Sequence, residues 1–339
     1  MLRRVVFVAA GSVLTLMIAV AGALYWSWDA LNAPLVLPPQ GVVFDIENGS
    51  ALATVTADLE GRGIIAHPHL VNWYARLSGK ATGIKAGEYA LVQGQTVIGL
   101  LDQLGRGDVV LHRFTIIEGW RFDELLMRLR SHSAVVASDL SADEIMAELG
   151  RAGEHPEGQF LPDTYSFPRG MRDIEVLRLA HTALWKLVDE SWNRRFGDGV
   201  LQSPYQGLIL ASIIEKETAL DRERGLVSGV FHERLRRGMR LQTDPTVIYG
   251  LGDAFDGNLT RRHLTDDTPY NTYTRAGLPP SPIAMAGRAS IEAAFAPVES
   301  GALYFVATGD PDGSHAFSST LEEHNAAVRR YQTREQGND

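Results

Sequence analysis

Cysteine is absent from the 339-residue chain. That excludes disulfides, cysteine nucleophiles and thiolate metal sites, and it leaves an exported compartment open without requiring one. An excess of positive charge is missing as well. The 32 Lys and Arg stand against 41 Asp and Glu, a formal charge of −9. Nucleic-acid binders normally carry a basic patch or stripe, so no nucleic-acid partner is expected. No His-Glu-x-x-His spacing occurs. His67-Pro68-His69 brings two imidazoles close in sequence, but no carboxylate–histidine cluster accompanies them, so neither a catalytic metal nor a cofactor is expected.

Charge is also missing from residues 5–26, a run rich in Val, Ala, Leu and Ile. At 1.5 Å per residue these 22 residues match a hydrocarbon core of roughly 30 Å. A cleaved signal peptide competes, with small residues at Ala21-Gly22-Ala23, but its apolar region should be shorter, about 7–15 residues. An uncleaved anchor is therefore expected. Arg3 and Arg4 precede the run and Asp29 follows it. This charge bias places residues 1–4 in the cytoplasm, the span at 5–28 and the remainder outside. Tyr25, Trp26 and Trp28 suit the outer interfacial belt. Residues 29–41, with Pro34, Pro38 and Pro39, read as a semi-rigid linker.

Three patterns in residues 42–130 look alike: a β-like run, a glycine, then a helix-period segment. Their glycines are Gly49, Gly94 and Gly119, each relieving the backbone at a strand-to-helix turn. Gly94-Gln95-Thr96-Val97 followed by a helix and Gly105-Arg106-Gly107 resembles a LysM module, a fold that binds N-acetylglucosamine-containing glycans. Ordinary α+β packing accounts for the same pattern. Beyond it, Ser141 and Glu144 have capping-box spacing. Leu161-Pro162-Asp163-Thr164-Tyr165 suits a sugar-facing loop or a packed turn, and residues 173–196 form a long amphipathic helix. Residues 222–237 form another, whose basic end at Arg234, Arg236 and Arg237 complements the helix dipole.

The chain is organised around Gln206 to Thr218, a short apolar helix ending in two carboxylates. Ser203 and Pro204 are a start signal. Helical steps back from Glu217 reach Ile214, Ile213 and Leu210, so Glu217 extends an apolar stripe. Glu215 lies about 200° around a helix of 3.6 residues per turn, toward solvent or a hydrogen-bonding partner. A lone carboxyl set against apolar groups is pushed toward its protonated form, as a general acid requires. The plainer reading has both acids ending a helix in solvent. Polar and aromatic loops follow: Gln242-Thr243-Asp244 before Pro245, then Pro269-Tyr270-Asn271-Thr272-Tyr273, then Gly277-Leu278-Pro279-Pro280. Loops on a rigid scaffold often carry binding groups.

Taken together, Leu210-Ala211-Ser212-Ile213-Ile214-Glu215-Lys216-Glu217-Thr218, Leu241-Gln242-Thr243-Asp244-Pro245-Thr246-Val247-Ile248-Tyr249, Tyr270-Asn271-Thr272-Tyr273 and Gly277-Leu278-Pro279-Pro280 resemble the endolytic murein transglycosylases, the MltG or YceG-like family. The resemblance covers nearly the whole chain. It implies an α+β protein with an N-terminal transmembrane helix, a LysM-like α/β subdomain at 42–130, and an α+β catalytic domain at 131–339 with a lysozyme-like catalytic helix. It implies a single-pass inner-membrane lyase whose catalytic domain is periplasmic. Its substrate would be nascent peptidoglycan glycan strands, cut at the β-1,4 bond from N-acetylmuramic acid to N-acetylglucosamine with a 1,6-anhydro end. Peptidoglycan synthases or other elongation and division proteins are its implied partners. The second Glu of the motif, followed by Thr, resembles the Glu-Ser of other lytic transglycosylases and falls on Glu217. Gln242, Asp244, Tyr270, Asn271 and Tyr273 are the substrate-binding candidates. A hydrolytic muramidase, using Asp244 or Glu215 on water, and a non-catalytic anchored glycan-binding scaffold are the rival readings.

Overall fold

The computed structural model describes residues 2–195 and 199–336. Phe196, the expected last residue of the long amphipathic helix, lies outside them. The protein is α+β and divides into two compact units, residues 1–112 with 167–170, and residues 113–166 with 171–339.

The first unit opens with α1 (Leu2–Asn32), in which Ala10–Asn32 is long and apolar enough to cross a membrane. Phe7, Leu14, Leu16 and Ile18 are exposed along it. The expected linker at 29–41 is not one. The helix continues through Asn32, and Leu31 and Leu35 are buried in the unit's core. The backbone then bonds to the unit, Leu35 N–H to Gln95 O at 2.7 Å and Val36 N–H to Ile64 O at 3.1 Å. Two buried leucines and satisfied amides override the prolines here.

There follow β1 (Val42–Ile46), α2 (Leu52–Gly61), α3 (Pro68–Leu77), β2 (Gly87–Leu91) and α4 (Val97–Arg106). The strands pair antiparallel, with Phe44 opposite Tyr89. Both side chains are buried, and the Tyr89 hydroxyl is satisfied by Lys85 O at 2.7 Å. Thr96 caps α4 by accepting from Gly99 N–H at 3.1 Å. Gly49 and Gly94 sit at φ +81° and +80°, the left-handed backbone that the repeated pattern required.

The second unit begins within β3 (Leu111–Thr115) and holds α5 (Phe122–Arg130), β4 (Val135–Val136), α6 (Ala142–Glu148), most of β5 (Thr164–Pro168) and β6 (Met171–Arg172). The break at 112/113 falls earlier than the expected one at 130/131. The reason is where α5 buries its apolar face. Phe122 stacks on Phe160 with centroids 5.7 Å apart, and its N–H donates to buried Glu157 at 3.0 Å. Ser141 and Glu144 form the expected capping box on α6. Tyr165 is packed, its hydroxyl bonded to Leu161 O at 2.8 Å.

Helices α7 (Asp173–Arg194), α8 (Pro204–Glu217), α9 (Asp221–Arg236), α10 (Asp244–Leu251), α11 (Arg261–Thr265) and α12 (Arg288–Phe295) complete the unit with the hairpin β7 (Tyr304–Ala307) and β8 (His315–Ser318) and with α13 (Leu321–Gln336). At the centre is α8, packed by α7, α9 and α12. Every residue from 207 to 214 is buried, so α8 has no polar face and no single stripe. Gly207 allows the closest approach: a Cβ there would lie 2.1 Å from the Phe295 ring.

Candidate active site

Ser203 accepts from Gln206 N–H at 3.2 Å and Pro204 takes the first helical turn, so α8 starts where its cap signal lies. The helix stays regular to its end, where Thr218 N–H bonds to Ile214 O at 3.2 Å. Glu217 is its last residue. The residue is half-buried.

The Thr243 hydroxyl donates to the Glu217 carboxyl. Thr243 is held in turn, its N–H bonded to Thr272 Oγ1 at 3.1 Å and its carbonyl receiving Thr246 Oγ1 at 2.8 Å. Before it, Gln242 has φ +52°, the one non-glycine left-handed residue among the described residues. Such strain persists where surrounding bonds over-determine the backbone and clusters at functional sites. Arg234 supplies part of that hold, donating to Leu241 O and Leu303 O, each at 2.7 Å. The expectation that Arg234 merely complements a helix dipole is corrected: the side chain is buried and clamps carbonyls. The polar trio 242–244 leads directly into a helix, α10, with Thr243 as N-cap residue and Pro245 in its first turn.

Burial raises the Glu217 pKa. The Thr243 hydrogen bond opposes the rise, the Asp244 charge adds to it, and the His315 and Arg234 charges oppose it. Asp244 accepts from the Tyr273 hydroxyl at 2.6 Å, and burial raises the pKa of that phenol. His315 is held by buried Glu223, its Nδ1 lying 2.7 Å from that carboxylate, which also accepts the His315 N–H at 3.0 Å.

Glu215 has a different partner. Its Oε2 accepts the Gly287 N–H at 3.0 Å, at the start of α12. Glu118 packs against the same glycine, and burial, with the nearby Glu215 charge, raises its pKa.

The structure therefore brings Gln242, Asp244 and Tyr273 together at the Thr243–Glu217 contact. It sets two other candidates into the framework. Tyr270 meets Tyr249 edge-on at 4.8 Å and bonds Ser281 Oγ at 2.6 Å. Asn271 is buried, donating to Asp266 O at 2.7 Å and His263 O at 3.1 Å and accepting from Tyr273 N–H at 2.9 Å. Sequence reasoning passed over Thr243, Arg234, His315 and Glu223. Thr243 lay inside the polar trio. The other three are joined only by tertiary folding, and nothing local marks them.

One desolvated carboxyl, tuned by a hydroxyl on one side and a carboxylate on the other, is a site for proton donation and recovery. The class is an acid–base enzyme. The comparisons define it further: the model of the YceG-like family matches residues 44–330, and the chain belongs to that family. A relative in Bacillus subtilis (strain 168), named endolytic murein transglycosylase, is 29% identical over 309 residues, 86% of this chain and 84% of the relative. One of the same name in Streptococcus pneumoniae (D39) is 26% identical over 86% of this chain, which spans 58% of that longer protein. A crystal structure of a YceG-like protein from Listeria monocytogenes is 29% identical, with a TM-score of 0.53 over 85% of this chain and 99% of that one.

Proposed function

We propose that the chain is a membrane-anchored endolytic murein transglycosylase, a lyase that cuts peptidoglycan glycan strands between N-acetylmuramic acid and N-acetylglucosamine. The observation that carries the reading is the raised pKa of Glu217 at the end of a buried helix, beside the strained Gln242-Thr243-Asp244 turn. Protonated Glu217 gives its proton to the glycosidic oxygen as the muramic C1 becomes oxocarbenium-like. The carboxylate so formed takes the proton from the sugar's own C6 hydroxyl, which closes on C1 as a 1,6-anhydro ring. Because that nucleophile is intramolecular, no second carboxylate has to activate water. Gln242, Asp244 and Tyr273 orient the sugars, and Tyr270 and Asn271 shape the loop that presents Tyr273.

The antiparallel β1–β2 pair with α2 and α3 between its strands, followed by the capped α4, is assigned the LysM-like, strand-gripping role. Helix α1 anchors the protein in the inner membrane with its N-terminus cytoplasmic, beside the synthases that extrude new strands. The charge order at 3–4 and 29 supports that orientation.

Hydrolysis is the second reading, because Asp244, next in sequence to the Thr243 that bonds Glu217, is a second carboxylate that could act on water. Product chemistry separates the two. Purified strands are digested with the full chain in detergent and with Glu217→Gln, and the ends are read by mass spectrometry. Anhydro-muramic ends from the parent and none from the variant are expected. Reducing ends alone would establish hydrolysis, and intact strands from the parent would leave only a glycan-binding scaffold.

A further inference from the structure

A cavity of about 270 Å³ is lined by Lys216 near the end of α8 and by Pro245, Ile248 and Tyr249 of α10. Its walls are mostly apolar, from Pro245, Ile248, Tyr249 and Phe255, and two cations face it, Arg121 and Lys216. Lys216 immediately precedes Glu217, and Pro245 follows Thr243 by two residues. The cavity therefore adjoins the two elements that make the proton-donating site.

Among the described residues neither cation is hydrogen-bonded, and the one ion pair between them is that of Arg121 with exposed Asp123. Among the described residues Lys216 has no ion pair and no hydrogen bond. Arg121 makes no hydrogen bond there either, and its Nε is buried without a partner. Its nearest carboxylate, Asp123, is 3.6 Å away and exposed, beyond hydrogen-bonding reach. The guanidinium lies over the Tyr249 ring, 5.3 Å from the centroid. Stacking fixes the plane of an arginine and leaves its in-plane donors available. Glu157, behind Tyr249, is engaged by the Phe122 N–H and the Tyr249 hydroxyl. A buried donor without an acceptor is costly, and two cations without hydrogen-bond partners among the described residues, in an apolar recess between α8 and α10, call for an anion.

We infer that this cavity is a subsite for a carboxylate of the peptide stem carried by muramic acid, with Arg121 and Lys216 gripping the carboxylate and Ile248, Tyr249 and Phe255 covering the stem's aliphatic groups. The inference rests on the peptidoglycan reading of the Glu217 site. A stem hangs from the lactyl ether of the same sugar whose C1 reacts, so an anchor beside Glu217 fixes the register of cleavage. Bidentate carboxylate recognition is what a stacked guanidinium is shaped for.

The test is calorimetric titration of the full chain in detergent with an N-acetylmuramyl tripeptide bearing free carboxylates, and with the same compound fully amidated. The free acid is expected to bind at least tenfold more tightly than the amide. Arg121→Gln combined with Lys216→Gln is expected to erase that difference, and Glu217→Gln to preserve it. Equal affinity of the parent for both compounds, or binding to neither, overturns the inference without use of any variant. So does a preference that survives the double substitution. The two readings fail separately: binding of the free acid by a parent that leaves strands intact defeats the cleavage reading alone, while strand cleavage without carboxylate preference defeats the subsite alone.

Discussion

The Thr243 hydroxyl donates its hydrogen bond to the Glu217 carboxyl across 26 positions of sequence, joining the end of α8 to the start of α10. The bond favours the ionised acid, whereas burial and the Asp244 charge favour the protonated one. A group that must donate a proton and then recover one needs both influences, because either alone traps it in one state.

The first prediction concerns that balance. In the proposed mechanism protonated Glu217 is the active form, so kcat/KM should fall as pH rises through its pKa. Thr243→Val removes an interaction that lowers the pKa, and the alkaline limb moves to higher pH. Asp244→Asn removes a charge that raises it, and the limb moves to lower pH. Glu217→Gln lowers kcat by about 10²–10⁴, the usual share of general acid–base catalysis. Rate profiles on one strand preparation check all three, and shifts of the same sign for both neighbours would contradict the assignment.

Much of this arrangement is legible in the sequence. Ser203-Pro204 announces the start of α8, the glycines at 49, 94 and 119 mark left-handed turns, and Ser141 with Glu144 writes its own cap, because each signal acts within a few residues. The apolar stripe leading to Glu217 is a different case. With 207–214 buried all round, α8 has no stripe to read, and Glu217 differs from Glu215 by its partner instead, Thr243 as against the Gly287 N–H. Contacts of that range leave no local trace. The start of α10 was legible and passed over: Thr243-Asp244-Pro245 carries the same kind of cap-and-proline signal as Ser203-Pro204. Proline likewise suggested a linker at 29–41, where Leu31 and Leu35 bind the chain to a core.

A second prediction follows from Glu157, which is 3% exposed. Burial pushes its pKa up to about 7 against 4.5. The folded value is the raised one, so stability associated with this group is complete below pH 4.5 and is lost as pH climbs through 7. At about 1.4 kcal/mol per unit, Glu157→Gln should exceed the parent in stability by about 3 kcal/mol at pH 8. The difference should close below pH 4.5. Urea unfolding of both proteins across that range is the measurement, and a gap that does not vary with pH would refute the cause given.

The third prediction sets two magnitudes against each other. Within a helix, Gly to Ala gains about 1 kcal/mol of propensity. At Gly207 the new methyl would meet the Phe295 ring at 2.1 Å. Phe295 is buried, and Trp192 packs edge-on to it at 6.1 Å, so the ring has little room to retreat. Overpacking of this kind costs about 1–3 kcal/mol, occasionally more. Gly207→Ala should therefore destabilise despite its better propensity, visible as a lower urea midpoint at unchanged slope.

The fourth separates framework from contact in the 270–273 loop. Asn271 is 1% exposed and its amide spans the carbonyls of Asp266 and His263 and the N–H of Tyr273. Asn271→Ala leaves those groups unpaired, at a cost of about 1–3 kcal/mol, and releases Tyr273 from Asp244. Tyr273→Phe deletes only the 2.6 Å bond from its hydroxyl to Asp244, at a stability cost within about 1 kcal/mol because the bond lies at an exposed carboxylate. Both variants should lose kcat/KM, but only Asn271→Ala should also lose its urea midpoint. If Asn271→Ala keeps full stability and loses activity alone, its amide meets the sugar rather than the loop. The reverse result for Tyr273→Phe, a lowered midpoint with unchanged kcat/KM, would make the Asp244 bond a structural tie.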